Sequence, residues 1–174
     1  KQELLSQKEF VAKIIAAREA KLNQDFMIIA RTEALIAGMG IDEALKRAYA
    51  YEDAGANAIL IHSKKNTPDE VFEFADKWDG KVSLIVVPTS YPSVGLDELI
   101  EHKIKMVIYA NQTLRVAYTA MSRVLKEINQ VNKLTEIKEE MTSMEKIFHL
   151  QEMYNIKKEE KDIESELKKL GYLK

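Results

Sequence analysis

Four short apolar runs, each followed by polar residues and then by a helix-like stretch, organise this chain. The runs span residues 26–30, 58–61, 82–87 and 106–109. Their starts recur every ~24 to 32 residues, a spacing typical of consecutive strand–helix units. The first run is apolar at both alternating sets of positions, as in a strand that is covered on both faces. The pattern predicts four adjacent parallel strands in chain order, joined by right-handed crossovers.

Apolar residues at helical spacing fill the intervals between the runs. The predicted helices cover residues 6–20, 42–55, 67–78, 96–101 and 112–130, and two more follow at 142–154 and 157–169. Ser6 and Glu9 are spaced as a capping box, and Gly55 is a predicted helix stop. Thr67 is a predicted N-cap, with Pro68 at the first helical position.

Strand signals end before residue 130, so we expect two regions, an α/β part over 1–130 and a charged helical tail over 131–174. The tail is expected to be solvated or to lean on another subunit. Four strand–helix units do not close a barrel, which needs eight. If the chain stands alone, the pattern predicts an open α/β sheet. If it is part of a longer protein, the pattern predicts the second half, strands 5 to 8, of a (β/α)₈ barrel.

Composition excludes several classes of protein. The chain has 174 residues, of which 46% are apolar, enough for a hydrophobic core. Its 26 basic and 28 acidic residues nearly balance and give no long-range attraction to nucleic acid or to an anionic membrane. It has no cysteine and no apolar run near the ~20 residues that span a bilayer, so we expect a soluble cytoplasmic protein. Because it does not begin with Met, the chain was either processed or belongs to something longer.

Ligands of parallel α/β sheets bind outside the carboxyl ends of the strands, so the polar residues that follow the four runs mark the candidate site. Arg31 follows the first run, and a guanidinium there can grip a carboxylate or a phosphoryl group with two hydrogen bonds. The structural alternative is an ion pair with Glu33 or with another nearby acid. Function is favoured, because a charge at a strand end is costly without a partner or a ligand.

His62 and Ser63 follow the second run, one predicted strand away from Arg31. An imidazole there can donate to a phosphoryl oxygen or exchange a proton, and the alternative is a histidine satisfied by a backbone carbonyl. Thr89 and Asn111 follow the third and fourth runs. For these two the structural interpretation is favoured, as a cap or as lining of the site.

Several catalytic signatures are absent from the sequence. It contains no GxGxxG, GxxxxGK[ST], HExxH or GxSxG motif, so dinucleotide binding, P-loop chemistry, zinc hydrolysis and the hydrolase elbow lack support. Apart from Glu33, no cluster of Asp or Glu follows a strand end. The sequence therefore predicts no metal site of its own.

Six stretches of the chain closely resemble the phosphoenolpyruvate mutase family of the isocitrate lyase and phosphoenolpyruvate mutase superfamily. They are 28–40 with its Ala-Arg-Thr-Glu-Ala, 43–48, 51–63 with its Ile-Leu-Ile-His-Ser, 86–91 with its Val-Pro-Thr-Ser-Tyr, 107–115 with its Tyr-Ala-Asn-Gln, and 147–151. The lyases of the superfamily typically carry an acidic residue where this chain has His62 and Ser63. The histidine therefore points to the phosphonate branch, which contains the mutase and phosphonopyruvate hydrolase.

The resemblance implies an enzyme that interconverts phosphoenolpyruvate and phosphonopyruvate as a metaphosphate-like group moves from the enol oxygen to carbon. It implies that Arg31, His62 and Ser63 bind the substrate, and that Arg31 and His62 hold the migrating phosphoryl group. It also implies Mg²⁺ held by carboxylates of strands 2 to 4, outside this chain. Without that N-terminal half as partner the chain is expected to be inactive.

The resemblance further implies a homo-oligomer, a dimer or a tetramer, in which the helix after strand 8 is exchanged between barrels. Two alternatives to the mutase remain open. One is phosphonopyruvate hydrolase, in which water attacks instead, and the other is a non-catalytic half-barrel kept for subunit contacts.

Overall fold

The computed structural model describes residues 3–173, in which short strands alternate with helices. The elements are α1 (Gln7–Ala20), β1 (Ile29–Thr32), α2 (Gly40–Asp53), β2 (Ala58–Ile61), α3 (Asp69–Lys77), β3 (Ser83–Val86), α4 (Leu96–Glu101), β4 (Ile104–Val107), α5 (Gln112–Ile128), a 3₁₀ turn (Leu134–Glu136), α6 (Met144–Leu150) and α7 (Met153–Lys169). The strands form one parallel sheet in the order β1-β2-β3-β4. The predicted α/β class and the predicted strand order are confirmed.

Three strands begin at residues different from those that the apolar runs predicted: β1, β4 and, by a single residue, β3, which begins at Ser83 rather than at residue 82. β1 begins at Ile29 rather than at residue 26, because Ile28 is bound by one residue of the next unit: its N–H donates to Oδ1 of Asn57 at 2.9 Å and its carbonyl accepts the Asn57 N–H at 2.7 Å. β4 begins at Ile104, two residues early. Lys103 takes a left-handed φ of 58° after α4, so the chain turns directly into the strand.

Alternate side chains of the sheet face two different environments. The helix-covered face carries the main core, to which Ala30, Ile59, Ile61, Leu84 and Val86 belong. The opposite face, which we call the open face, carries a smaller cluster of Ala58, Leu60 and Ile85. At its margins Ile29 and Met106 are 40% and 46% exposed. The open face is therefore apolar at its centre and accessible at its edges.

The helix ends follow local sequence signals only in part. Ser6 and Glu9 form the predicted capping box. Gly55 ends α2 with the paired hydrogen bonds of a Schellman motif. The prediction of Thr67 as N-cap is wrong: Pro68 occupies that position, and the Thr67 hydroxyl donates instead to Oδ2 of Asp69 at 2.8 Å.

The chain divides into two compact units, one up to Leu114 and one from Arg115 onward. The predicted regions 1–130 and 131–174 stay a prediction. Within the second unit Arg123 pairs with Glu139 at 2.9 Å. No helix in the described part of the chain is long and apolar enough to cross a membrane.

Candidate functional site

Arg31 lies near the carboxyl end of β1 on the open face, with its side chain 48% exposed. Its Nε donates to Oε1 of Glu33, so the ion pair that the sequence allowed as an alternative is present. This contact does not remove the guanidinium from solvent. The pair holds the arginine at the strand end, where its charge stays available to a ligand.

His62 follows β2, and the strand register places Arg31 opposite Leu60, two residues before the histidine. Residues two apart on a strand share a face, so this register favours the open face for His62 as well. The pKa of His62 is lowered, first by burial and then by the positive charge of Arg31, while Glu33 acts in the opposite direction. The two candidate side chains therefore lie close enough to interact electrostatically.

The imidazole of His62 has a buried Nδ1 atom that finds no hydrogen-bond partner among residues 3–173. With its pKa lowered the ring is mainly neutral at pH 7 and can donate from one nitrogen and accept at the other. A buried polar atom without a partner is uncommon in a folded protein. Such an atom fits a residue that meets a ligand.

The side chain of Ser63 points toward the helix layer and away from Arg31 and His62. Its side chain is fully buried, and its hydroxyl donates to Oε2 of Glu70 on α3 at 2.6 Å and accepts the N–H of Lys65 at 3.1 Å. The structure thus brings Arg31 and His62 together and directs Ser63 toward the helix layer. The substrate-binding role of Ser63 stays a prediction, and its only hydroxyl proton is already engaged.

Three further polar groups lie just beyond β3 and β4. The hydroxyls of Thr89 and Tyr91 and the Oδ1 of Asn111 are buried and have no hydrogen-bond partner in the part of the chain that the structure describes. For Thr89 and Asn111 the sequence favoured a structural role, and it did not single out Tyr91. Burial raises the pKa of Tyr91 to about 12, so this phenol keeps its proton and can donate it. The available signal was a hydroxyl-bearing aromatic residue in the loop that follows β3.

A cleft of about 150 Å³ borders Arg31 and Glu33. Arg47 lines it from α2, with its charge already satisfied: Nε donates to Glu43 at 2.8 Å and Nη1 donates to the carbonyl of Leu5 at 2.9 Å. The segment before α1 therefore lies beside the Arg31 end of the candidate site. Arg47 serves structure, whereas the Arg31 side chain stays 48% exposed.

The residues that the structure describes do not fit a magnesium site. Between residues 3 and 173 no three side chains of His, Cys, Asp or Glu are grouped so that they could hold a metal ion. Glu33, the one acid that follows a strand end, is paired with Arg31. These residues therefore support no chemical step through a metal of their own.

Comparison with known proteins places this geometry in a family. Residues 1–129 match the family described as phosphoenolpyruvate phosphomutase. Phosphonopyruvate hydrolase of Variovorax sp. (strain Pal2) is 44% identical over 87% of this chain and 52% of its own length. The crystal structure of phosphoenolpyruvate phosphomutase from Streptomyces platensis subsp. rosaceus has a TM-score of 0.88 at 41% identity, over 93% of this chain and 56% of that one.

A crystal structure of phosphonopyruvate hydrolase in complex with oxalate and Mg⁺⁺ is also similar, with a TM-score of 0.84 at 43% identity over 90% of this chain and 56% of that one. The chain spans about half the length of the relatives it matches. The match covers both strand ends that carry Arg31 and His62. The chain therefore belongs to the phosphoenolpyruvate phosphomutase family, within the isocitrate lyase and phosphoenolpyruvate mutase superfamily.

Proposed function

We propose that this chain supplies the phosphoryl-binding part of a phosphoenolpyruvate phosphomutase, which interconverts phosphoenolpyruvate and phosphonopyruvate. The observation that carries the proposal is that Arg31 and His62 lie at the ends of neighbouring strands, close enough for the charge of the arginine to lower the pKa of the histidine. Both groups suit an anion with several oxygens. The similarity to the mutase and to the hydrolase points to a phosphonate as that anion.

In this proposal Arg31 supplies a positive charge to the phosphoryl group and His62 supplies a directional hydrogen bond. The guanidinium balances the negative charge that spreads over the phosphoryl oxygens as the P–O bond breaks and the P–C bond forms. The mainly neutral imidazole adds a directional hydrogen bond and no second fixed charge. Glu33 holds the guanidinium in place through its bond to Nε. Catalysis then rests on positioning and electrostatic stabilisation.

The proposal includes a barrel that other strands complete. β1 and β4 are the outer strands of the sheet, and the open face leaves Ile29 and Met106 40% and 46% exposed. Parallel sheets are normally covered on both faces, and unpaired edges invite further strands. We place the Mg²⁺ of this enzyme in that additional part, since the described residues do not hold one.

We also propose that α5 takes part in oligomer contacts. This helix carries large apolar side chains that are well exposed, among them Leu114 at 69%, Tyr118 at 70% and Leu125 at 66%. A contiguous apolar face of this kind is typical of an interface. A homo-oligomer in which this helix packs on a second copy would cover it.

Phosphorus NMR of the reaction tests the function directly. The longest natural polypeptide that contains this chain is incubated with phosphonopyruvate and Mg²⁺. A mutase produces the phosphoenolpyruvate signal and reaches the same mixture when started from phosphoenolpyruvate. Release of inorganic phosphate with pyruvate identifies the hydrolase instead, the alternative favoured by the 44% identity to a phosphonopyruvate hydrolase. Failure to convert either compound, with a stable oligomer present, supports an assembly role and refutes the enzymatic proposal.

A further inference from the structure

The loop between β2 and α3 is held by a small network of hydrogen bonds behind His62. Ser63 is fully buried, and its hydroxyl donates to Oε2 of Glu70 at 2.6 Å. The same hydroxyl accepts the N–H of Lys65 at 3.1 Å, and Nζ of Lys65 lies 3.1 Å from Oε1 of Glu70. One carboxylate in the first turn of α3 thus binds both ends of the loop segment that directly follows the histidine.

The carboxylate of Glu70 suits this task for three reasons. Its side chain is only 19% exposed, so competition from water is limited. Hydrogen bonds to a charged acceptor are shorter and stronger than bonds between neutral groups. A negative charge in the first turn of a helix is also favourable. The bond to Ser63 is therefore a firm attachment of the loop to α3.

His62 has no comparable attachment. Its Nδ1 is buried without a hydrogen-bond partner, and the interactions that affect its pKa are burial and the charges of Arg31 and Glu33 on β1 and directly after it. Because Nδ1 has no partner among the described residues, the direction of the Cα–Cβ bond, which the backbone of His62 sets, is the main control on where the ring lies. That backbone is fixed on one side by β2, which ends at Ile61, and on the other by the buried Ser63.

We propose that Glu70 is a positioning residue: by holding the Ser63 hydroxyl it fixes the backbone that directs His62 toward the open face. The inference rests on the proposed function, since it extends the phosphoryl site by one residue on α3. Glu70 itself touches no reacting atom in this proposal. Its action passes through Ser63, which explains why a serine beside the candidate histidine is buried and turned away from the site.

The test uses Glu70→Ala and Glu70→Gln, with Glu73→Gln as the matched control. Glu73 lies on the same helix and pairs with Lys77 at 2.7 Å, on an exposed surface. In the alanine variant the loop loses its attachment, and the pKa of His62, followed by NMR, rises toward its ordinary value because the ring gains solvent. We expect kcat to fall on the order of tenfold, because a displaced group stabilises the transition state less.

The glutamine variant separates the hydrogen bond from the charge. Its Oε1 still accepts the Ser63 proton, so the pKa of His62 and kcat should stay close to the wild-type values while the Lys65 contact weakens. Glu73→Gln should change neither quantity. If Glu70→Ala folds with wild-type stability and leaves both the His62 pKa and kcat unchanged, Glu70 does not position the histidine.

Ser63→Ala keeps the inference testable if Glu70→Ala does not fold. It removes only a hydroxyl and leaves Glu70 beside Lys65. The expected result is again a higher pKa of His62 and a lower kcat, and wild-type values for both would overturn the proposal. The NMR titration does not depend on substrate, so it judges the role of Glu70 even if the polypeptide converts neither phosphonopyruvate nor phosphoenolpyruvate and the proposed function fails.

Discussion

Replacing Gly55 with alanine should destabilise the α/β unit through two separate costs. Gly55 has a φ of +103°, where side chains are strained. Its N–H donates to the carbonyl of Glu52 at 2.8 Å, and the next N–H, of Ala56, donates to the carbonyl of Tyr51 at 3.0 Å. A Cβ at this position would lie 2.6 Å from Cδ of Arg18. The substitution therefore adds backbone strain and a steric collision.

The structure allows the two costs to be estimated. A side chain in the left-handed region costs about 1–2 kcal/mol. Arg18 can relieve the collision only by moving, which breaks the bond from its Nη1 to the carbonyl of Ala54 at 3.1 Å. A hydrogen bond of this kind contributes about 0.5–1.5 kcal/mol. Alanine also reduces the entropy of the unfolded chain, which offsets about 0.4–1 kcal/mol. The expected net loss is about 2 kcal/mol.

Urea denaturation measures this loss, and the chain contains a matched control. Gly38 has a φ of +76°, and a Cβ added there would have no other atom within 4 Å. It ends a turn with the same pair of hydrogen bonds, from its own N–H to the carbonyl of Leu35 and from the N–H of Met39 to the carbonyl of Ala34. Gly38→Ala should therefore lose only the strain, about 1 kcal/mol less than Gly55→Ala.

A double-mutant cycle with Arg18→Ala isolates the collision. In that background the Arg18 bond is already lost and the added Cβ no longer meets the arginine, so Gly55→Ala should cost no more than Gly38→Ala. Equal losses for the two glycine variants in the wild-type background, together with no coupling to Arg18, would refute the packing argument. A loss below about 0.5 kcal/mol for both would refute the backbone argument as well.

Four further predictions concern the candidate site. Arg31→Ala should lower kcat/KM on the order of 10²-fold or more in the phosphorus NMR assay, because it removes a charge where phosphoryl charge develops, and a change of only a few-fold would exclude Arg31 from the mechanism. The same variant should raise the pKa of His62 in an NMR titration, and an unchanged pKa would mean that the two side chains do not interact. The pKa of His62 is lower in the folded protein than its unfolded value of about 6.5, so the neutral ring contributes fully to stability above that value and the contribution is lost as the pH falls toward the folded pKa. In His62→Gln, the urea concentration at the unfolding midpoint should therefore depend less on pH within that window. Tyr91→Phe should leave the free energy of unfolding unchanged or slightly raised, because it removes a buried hydroxyl without a partner, and a loss above about 1 kcal/mol would reveal a hydrogen bond there.

Local signals in the sequence determined the order of the elements. The alternation of apolar runs with helical periodicity predicted four parallel strands in chain order, and the structure has them. Ser6 with Glu9 and the stop at Gly55 were readable because a cap or a stop involves residues within one helical turn. The same pattern predicted that Arg31 and His62 lie at one edge of the sheet, because the carboxyl ends of parallel strands lie on one side.

Tertiary structure decided the features that depend on contacts between distant residues. β1 begins at Ile29 because Asn57, far along the chain, binds the backbone of Ile28. Ser63 was grouped with His62 by adjacency alone, and the packing of α3 turns its hydroxyl to Glu70. The hydrophobic periodicity of the sequence does not predict these long-range contacts, because each side chain is compatible with many partners until the helix is docked on the sheet. The sequence therefore determined which residues follow the strand ends, and the docked helices determined which of them, as with Ser63, are bound inside the protein.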